Sequence, residues 1–486
     1  MSAVRPPTRF VLRAFAAALA CAAAMPVAAR SFDLSQAYAA ALAQDATLRA
    51  SRAAAEAGRE ALPQAKARLL PGVSAGATRN KNELVSTGPD ARGAAVTTRE
   101  RYLAGSASLT VRQPLYRPFE MANLRQARAR VAESEATLAG DLQQVAVRVG
   151  EAYFELLLAD EQIDLVQAQK QAFTTQLDAA RKAFAAGSGT RTDIDEVRAR
   201  LDLSVAEELE ARQHRQIARR QLQALVGEPV DAVAPLNVSA LVLSTPEPKE
   251  LEAWIAKAED NSPEVRTLLA RLDAARQEVD KARAGHRPTL DAVVEWSRSE
   301  SDNINRIGSR YTSRSVGLQL SVPLYAGGGI DSTVRQAVAE ETQASETLQA
   351  LREDLAIRVT REFSGVAEGV LRIRALEQAV RSADQVVVSN RKSFQAGSRT
   401  TVDILDAEQQ RVSALRDLAQ ARFVYLMAHV RLQVLAGVFD AGWLQGINAF
   451  FTASTHGAAQ PADAAEVHSS RSAAAAAASP SNPRPL

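Results

Sequence analysis

The 486-residue chain has one cysteine, Cys21, and only 5% aromatic residues. A lone cysteine rules out an intramolecular disulfide framework. The five histidines, His214, His286, His429, His456 and His468, are scattered and show no metal-ligand spacing. No glycine-rich phosphate loop, nucleophile-elbow serine or paired-carboxylate motif is present. The chain is therefore expected to be no enzyme and to need no cofactor. The formal charge of +2 gives no basic bias toward nucleic acid. Beyond the N-terminal region no run of about 18 or more apolar residues occurs, so no transmembrane helix is expected. Residence in a membrane would then require a β-barrel.

Alanine is abundant, and Leu, Arg, Gln and Glu fill the long central stretches, a composition that points to long helices. Residues 1–29 read as a secretory leader. Arg5, Arg9 and Arg13 form its basic end, Ala14 to Ala24 its apolar centre, and Val27-Ala28-Ala29 its small-residue cleavage site. Because this segment carries three arginines and no acid, its removal leaves a net charge of −1 and no cysteine. Ala18-Leu19-Ala20-Cys21 loosely resembles a lipoprotein box, which keeps lipidation at Cys21 as the alternative.

The chain repeats itself. The segment Phe184 to Ile194 matches Phe394 to Ile404, 210 residues later, and Leu225-Val226-Gly227 matches Leu435-Ala436-Gly437 at the same offset. Pro114-Leu115-Tyr116 matches Pro323-Leu324-Tyr325. Leu70-Pro71 corresponds to Arg287-Pro288 at the end of each first helix. These anchors divide the chain into a first repeat (30–227), a connector (228–263) containing Pro246-Glu247-Pro248, a second repeat (264–437) and a C-terminal segment (438–486). The part after Thr452 is rich in Ala, Ser and Pro and is expected to be disordered.

Each repeat reads as helix, two strands, a very long helix and a further helix. In the first, the pattern predicts a helix over Leu34 to Ala67, an extended segment over Gly72 to Val85, and a loop at Gly88-Pro89-Asp90 and Gly93. A strand follows in which Leu103, Gly105, Ala107, Leu109 and Val111 alternate with Ser106, Ser108, Thr110 and Arg112. In the second, Val316, Leu318, Leu320 and Val322 alternate with polar residues, and the partner strand spans about Thr289 to Ser299. Phe119 to about Ala186 has no proline. Val145, Val149, Ala152, Leu156, Ala159, Ile163 and Val166 give it a heptad seam, which Phe363, Val366, Val370, Ile373 and Val380 follow less strictly. Four strands cannot close a barrel with a usable lumen. Three copies would supply twelve, an even number within the range of outer-membrane barrels.

These residues resemble the TolC-type outer-membrane efflux and secretion family over about Leu34 to Gly437. The specific marks are the Pro-Leu-Tyr strand ends, the two glycine-containing turns, and the run Gly397-Ser398-Arg399-Thr400-Thr401-Val402-Asp403-Ile404-Leu405-Asp406-Ala407. The resemblance implies a mainly α fold with a membrane β-barrel: a long α-helical barrel in the periplasm below a trimeric 12-stranded β-barrel in the outer membrane, four strands per chain. It implies a homotrimer in outer-membrane lipid, fed by a periplasmic adaptor (membrane fusion protein) and an inner-membrane ABC transporter or other pump. The expected function is type I secretion of a protein such as a toxin. The alternative is multidrug or metal efflux, and a remote one is a non-channel coiled-coil adaptor.

Asp403 and Asp406, three residues apart, share one helix face. From spacing alone they read first as solvated acids that complement a helix N-terminus. The resemblance implies that they form stacked carboxylate rings at the pore constriction. It also implies that Arg399 bonds to Thr192 and Asp193 of a neighbouring chain as an entrance latch. Phe394 stands where the family has a supporting tyrosine, so one latch hydrogen bond is missing and a looser closed state is expected. The turns Gly187-Ser188-Gly189 and Gly397-Ser398 are expected to meet the adaptor.

Overall fold

The computed structural model describes residues 31–301 and 309–451. The expected leader with Cys21 and the expected disordered tail lie outside the described residues. The helix expected over Leu34 to Ala67 is in fact three: α1 (Leu34–Gln44), α2 (Ala46–Arg59) and α3 (Ala61–Ala67). Asp45 makes the first break. Its backbone is extended, and its carboxylate caps α2 by accepting from the Thr47 N–H at 3.0 Å. The other carboxylate oxygen pairs with Arg148 at 2.5 Å.

Two hairpins follow the two halves of the chain: β2 (Gly72–Pro89) with β3 (Ala95–Tyr116), and β5 (Thr289–Ser301) with β6 (Ser309–Ser321). They join into one antiparallel sheet of order β2-β3-β5-β6. The first hairpin is longer than the apolar alternation predicts, because it continues past the last β3–β5 pair, Ala104 with Ser301. This extension is polar and charged, with Glu83 between Arg99 and Arg101.

The registers sort the sheet into two faces, since directly opposed residues project to the same side. Val73, Val111, Val294 and Val316 form one row across all four strands; Ser74, Thr110, Glu295 and Ser315 form the adjacent row on the other face. The apolar face is uncovered in the single chain: Val316 is 84% exposed and Leu318 71%. Such a continuous apolar surface needs a partner or lipid. Asp291 fixes the sheet to the helices. It is buried at the base of β5 and accepts from Arg117 Nε at 2.8 Å and Nη2 at 2.5 Å, with Arg112 at 3.3 Å.

The long helices are α4 (Pro118–Ala185), of 68 residues, and α8 (Gly329–Gln395), of 67. At 1.5 Å per residue each reaches on the order of 100 Å. Pro118 opens α4, where a missing N–H costs nothing. Of the expected seam, Val145, Val149, Ala152, Leu156, Ala159 and Val166 are buried and Ile163 is half-buried. The first half of α4 packs on α7 (Pro263–Arg283), and its second half forms an antiparallel hairpin with α5 (Arg191–Val226). In the same way α8 packs on α7 and then pairs with α9 (Thr401–Leu435), which also lies against α4. Among the described residues, no helix is long and apolar enough to cross a membrane.

A belt of small elements surrounds the middle of these helices: β1 (Ser31–Phe32) parallel to β4 (Ala232–Val233), α6 (Leu251–Asn261) and α10 (Ala441–Asn448). The main core lies here. Tyr153, Phe154, Phe423 and Phe451 stack edge and face in it. The buried Tyr153 hydroxyl donates toward the carbonyls of Ala234 at 3.0 Å and Phe32 at 3.3 Å, which satisfies its polar end.

Candidate functional site at the two helical tips

The far end of each hairpin is built the same way. Helix α4 stops at Ala185 and α8 at Gln395, and a glycine follows with a left-handed backbone, φ +77° at Gly187 and +76° at Gly397. Each glycine N–H bonds to a phenylalanine carbonyl, Phe184 or Phe394, at 3.0 and 2.9 Å. The next residue closes the larger ring, Ser188 to Ala183 and Ser398 to Ser393. This paired pattern satisfies the last carbonyls of the helix and requires a residue tolerant of positive φ. Two residues later Thr190 and Thr400 cap α5 and α9 through reciprocal boxes with Asp193 and Asp403. The Thr-x-x-Asp spacing that signals these boxes is visible in the sequence, but the capping threonines were not among the expected site residues.

The structure engages both carboxylates expected at the constriction. Asp403 Oδ2 accepts from the Thr400 N–H and hydroxyl, each at 2.8 Å, and Oδ1 pairs with Arg399 at 3.1 Å. These donors, Thr400 foremost, hold the Asp403 carboxyl below the usual carboxylate range. Asp406 Oδ1 pairs with Arg200 of α5 at 2.9 Å, and Arg200 also reaches Glu196 at 3.4 Å. Arg200 was not expected here. Its sequence neighbourhood, one of many charged helix faces, carries no signal that it crosses to the other repeat.

Within one chain the entrance-latch residues do not meet as a set. Arg399 pairs with Asp403 four residues along its own turn. Asp193 accepts from the Thr190 N–H and hydroxyl, and its carboxyl is held low, Thr190 foremost among the causes. Thr192 precedes Asp193 on α5, and Phe394 is 39% exposed at the end of α8. Gly187, Ser188, Gly397 and Ser398 lie exposed at the tips, and Gly189 is half-buried against Ala183.

The two hairpins touch at this end through a small set of contacts. Leu405 of α9 is buried against Phe173 and Leu177 of α4 and Val197 of α5. Gln169 donates to Gln409 at 3.2 Å. Beyond them α5 and α9 part, leaving an open groove of about 930 Å³ lined by Gln162, His214, Gln409 and Arg416 among others. Each hairpin is separately knitted around one buried glutamate: Glu208 with Lys170 and Arg212, and Glu408 with Arg391 and Arg411.

The family model described as "Outer membrane efflux protein" matches residues 37–228 and 254–438. The chain is 34% identical over 416 residues to the alkaline protease secretion protein AprF of Pseudomonas aeruginosa, spanning 85% of this chain and 86% of that protein. It is 31% identical over 425 residues to the proteases secretion protein PrtF of Dickeya chrysanthemi, spanning 87% and 92%. Among solved structures, the outer membrane protein VceC from Vibrio cholerae matches with a TM-score of 0.69 at 18% identity, over 83% of this chain and 96% of that one. The two-part match, the full-length relatives and the shared fold remove the reading as a non-channel adaptor. This chain belongs to the outer membrane efflux protein family, the TolC-type family its sequence resembles, whose members are outer-membrane channels reaching into the periplasm.

Proposed function

We propose that this protein is the outer-membrane conduit of a type I protein-secretion system, working as a homotrimer that a periplasmic adaptor couples to an inner-membrane ABC transporter. The observation that carries the reading is near-full-length similarity to two proteins named for protease secretion. A secreted protease is accordingly a better expectation for the cargo than a toxin. The trimer is supported by the open sheet: β2 and β6 are edge strands, and an uncovered apolar face flanks a polar one. Joining three such sheets edge to edge removes every edge and gives a barrel with an apolar exterior and a polar lumen.

In this assembly three copies of Asp403 and Asp406 gather at the tunnel's inner end and form its constriction. Clustered carboxylates favour cations there. Arg399 lies at the surface of its turn, within reach of a neighbouring chain's first tip, where Thr192 and Asp193 would receive it. The exposed glycine turns meet the adaptor. Deleting the gene in its host separates the cargo readings. Loss of one or a few extracellular proteins, restored by complementation, is the expected outcome. An unchanged set of extracellular proteins together with raised sensitivity to drugs or metals would instead make efflux the function.

A further inference from the structure

Arg200 lies between two acids that occupy the same position in the two repeats, Glu196 on its own helix and Asp406 on the other hairpin, 210 residues apart. The position equivalent to Arg200 in the second repeat is Gln410, so the pairing runs one way: the first hairpin gives the cation and the second the anion. Asp403 is held differently. Its cation, Arg399, belongs to the same turn and travels with it. If the second hairpin moves away from the first, Asp403 keeps its arginine and Asp406 leaves Arg200 behind. Little else joins the hairpins at this level. Leu405 sits in a four-residue apolar cluster, Gln169 bonds to Gln409, and the open groove separates α5 from α9 beyond them.

We infer that Arg200 determines the charge selectivity of the tunnel: it screens the Asp406 layer while the hairpins are together and uncovers it when they part. Cation preference therefore rises as the entrance opens. The inference rests on the proposed constriction at Asp403 and Asp406. In a three-fold assembly the parting exposes three carboxylates at one level. Three carboxylates no longer paired with an arginine raise the negative potential that passing cations meet.

The test is the reversal potential of the full-length trimer in planar bilayers under a salt gradient. Arg200→Gln is expected to raise the cation-over-anion permeability ratio by about twofold or more and to enlarge the resting conductance. Arg200→Met, which keeps the aliphatic stem, should do the same, and Arg200→Lys should stay near the unmodified protein. Adding Asp406→Asn to Arg200→Gln should cancel the rise. If both neutral variants keep the original ratio and conductance while Asp403→Asn/Asp406→Asn lowers the ratio, Arg200 does not screen the layer and the inference falls, with the constriction intact. If the ratio ignores the two aspartates as well, the constriction reading has failed and the inference fails with it.

Discussion

The two helical tips have one backbone design and opposite surroundings. Both use a left-handed glycine, a serine closing the helix end, and a threonine–aspartate box opening the next helix. In the first repeat the following residues face water: the Arg191 and Asp195 side chains are 80% and 62% exposed. Their counterparts in the second repeat, Thr401 and Leu405, are 4% and 1% exposed. Glycine at 189 corresponds to Arg399, and Arg200 corresponds to Gln410. The local turn is thus set by the shared residues, and the role of each tip by the few positions where the repeats differ. The second tip carries the apolar anchor Leu405 and the acids Asp403 and Asp406, and the first supplies the surface against which it rests.

This comparison can be broken most directly at the anchor. Leu405→Ala empties a buried site and is expected to weaken tip docking by about 2–5 kcal/mol, whereas Asp195→Ala at the equivalent position should change it by no more than about 0.5 kcal/mol. Protease cleavage and hydrogen exchange at residues 173–201 and 395–406 would read the difference, and equal effects at the two sites would refute the asymmetry. The glycines should instead behave alike. Gly187→Ala and Gly397→Ala each force a Cβ into a left-handed backbone and should each cost about 1–2 kcal/mol. A large difference between them would mean that one turn is shaped by its surroundings.

The capping boxes sharpen the comparison through pH. Thr400 and Arg399 stabilise the charged form of Asp403, so its folded-state pKa lies below the unfolded value. The resulting stability is complete above the ordinary carboxylate range and is lost as pH falls through the folded value. Thr400→Val should move the acid loss of cation selectivity to higher pH, whereas Thr190→Val should leave it in place. Phe394→Tyr is expected to have the smallest effect, a lower resting conductance from one added latch hydrogen bond. Phe184→Tyr at the matching position should have none, and an unchanged conductance in Phe394→Tyr would remove the argument that its missing hydroxyl loosens closure.

Much of this molecule is legible in the sequence because its repeat anchors are turns, and turns depend on local chemistry. Gly187, Gly397 and the Pro-Leu-Tyr strand ends mark where elements stop, and the heptad from Val145 to Val166 marks the buried side of α4. The break at Asp45 is hidden because Ala-rich sequence on both sides continues the helical pattern, and only the aspartate's cap and its contact with Arg148 divide it. The length of the first hairpin is hidden because its outer part has little apolar alternation and is held mainly by backbone pairing. Arg200 is hidden for a different reason: its partner lies 206 residues away, and the rotation of two coiled hairpins, which no local pattern encodes, brings them together.

The central claim is that the second tip forms an acidic constriction in a trimeric channel. Single-channel recording of the purified trimer in planar bilayers, comparing the unmodified protein with Asp403→Asn/Asp406→Asn, tests it most directly. The account predicts discrete channels with a cation preference that the double substitution abolishes. Channels whose conductance and selectivity ignore that substitution would contradict it and place the constriction elsewhere along the tunnel.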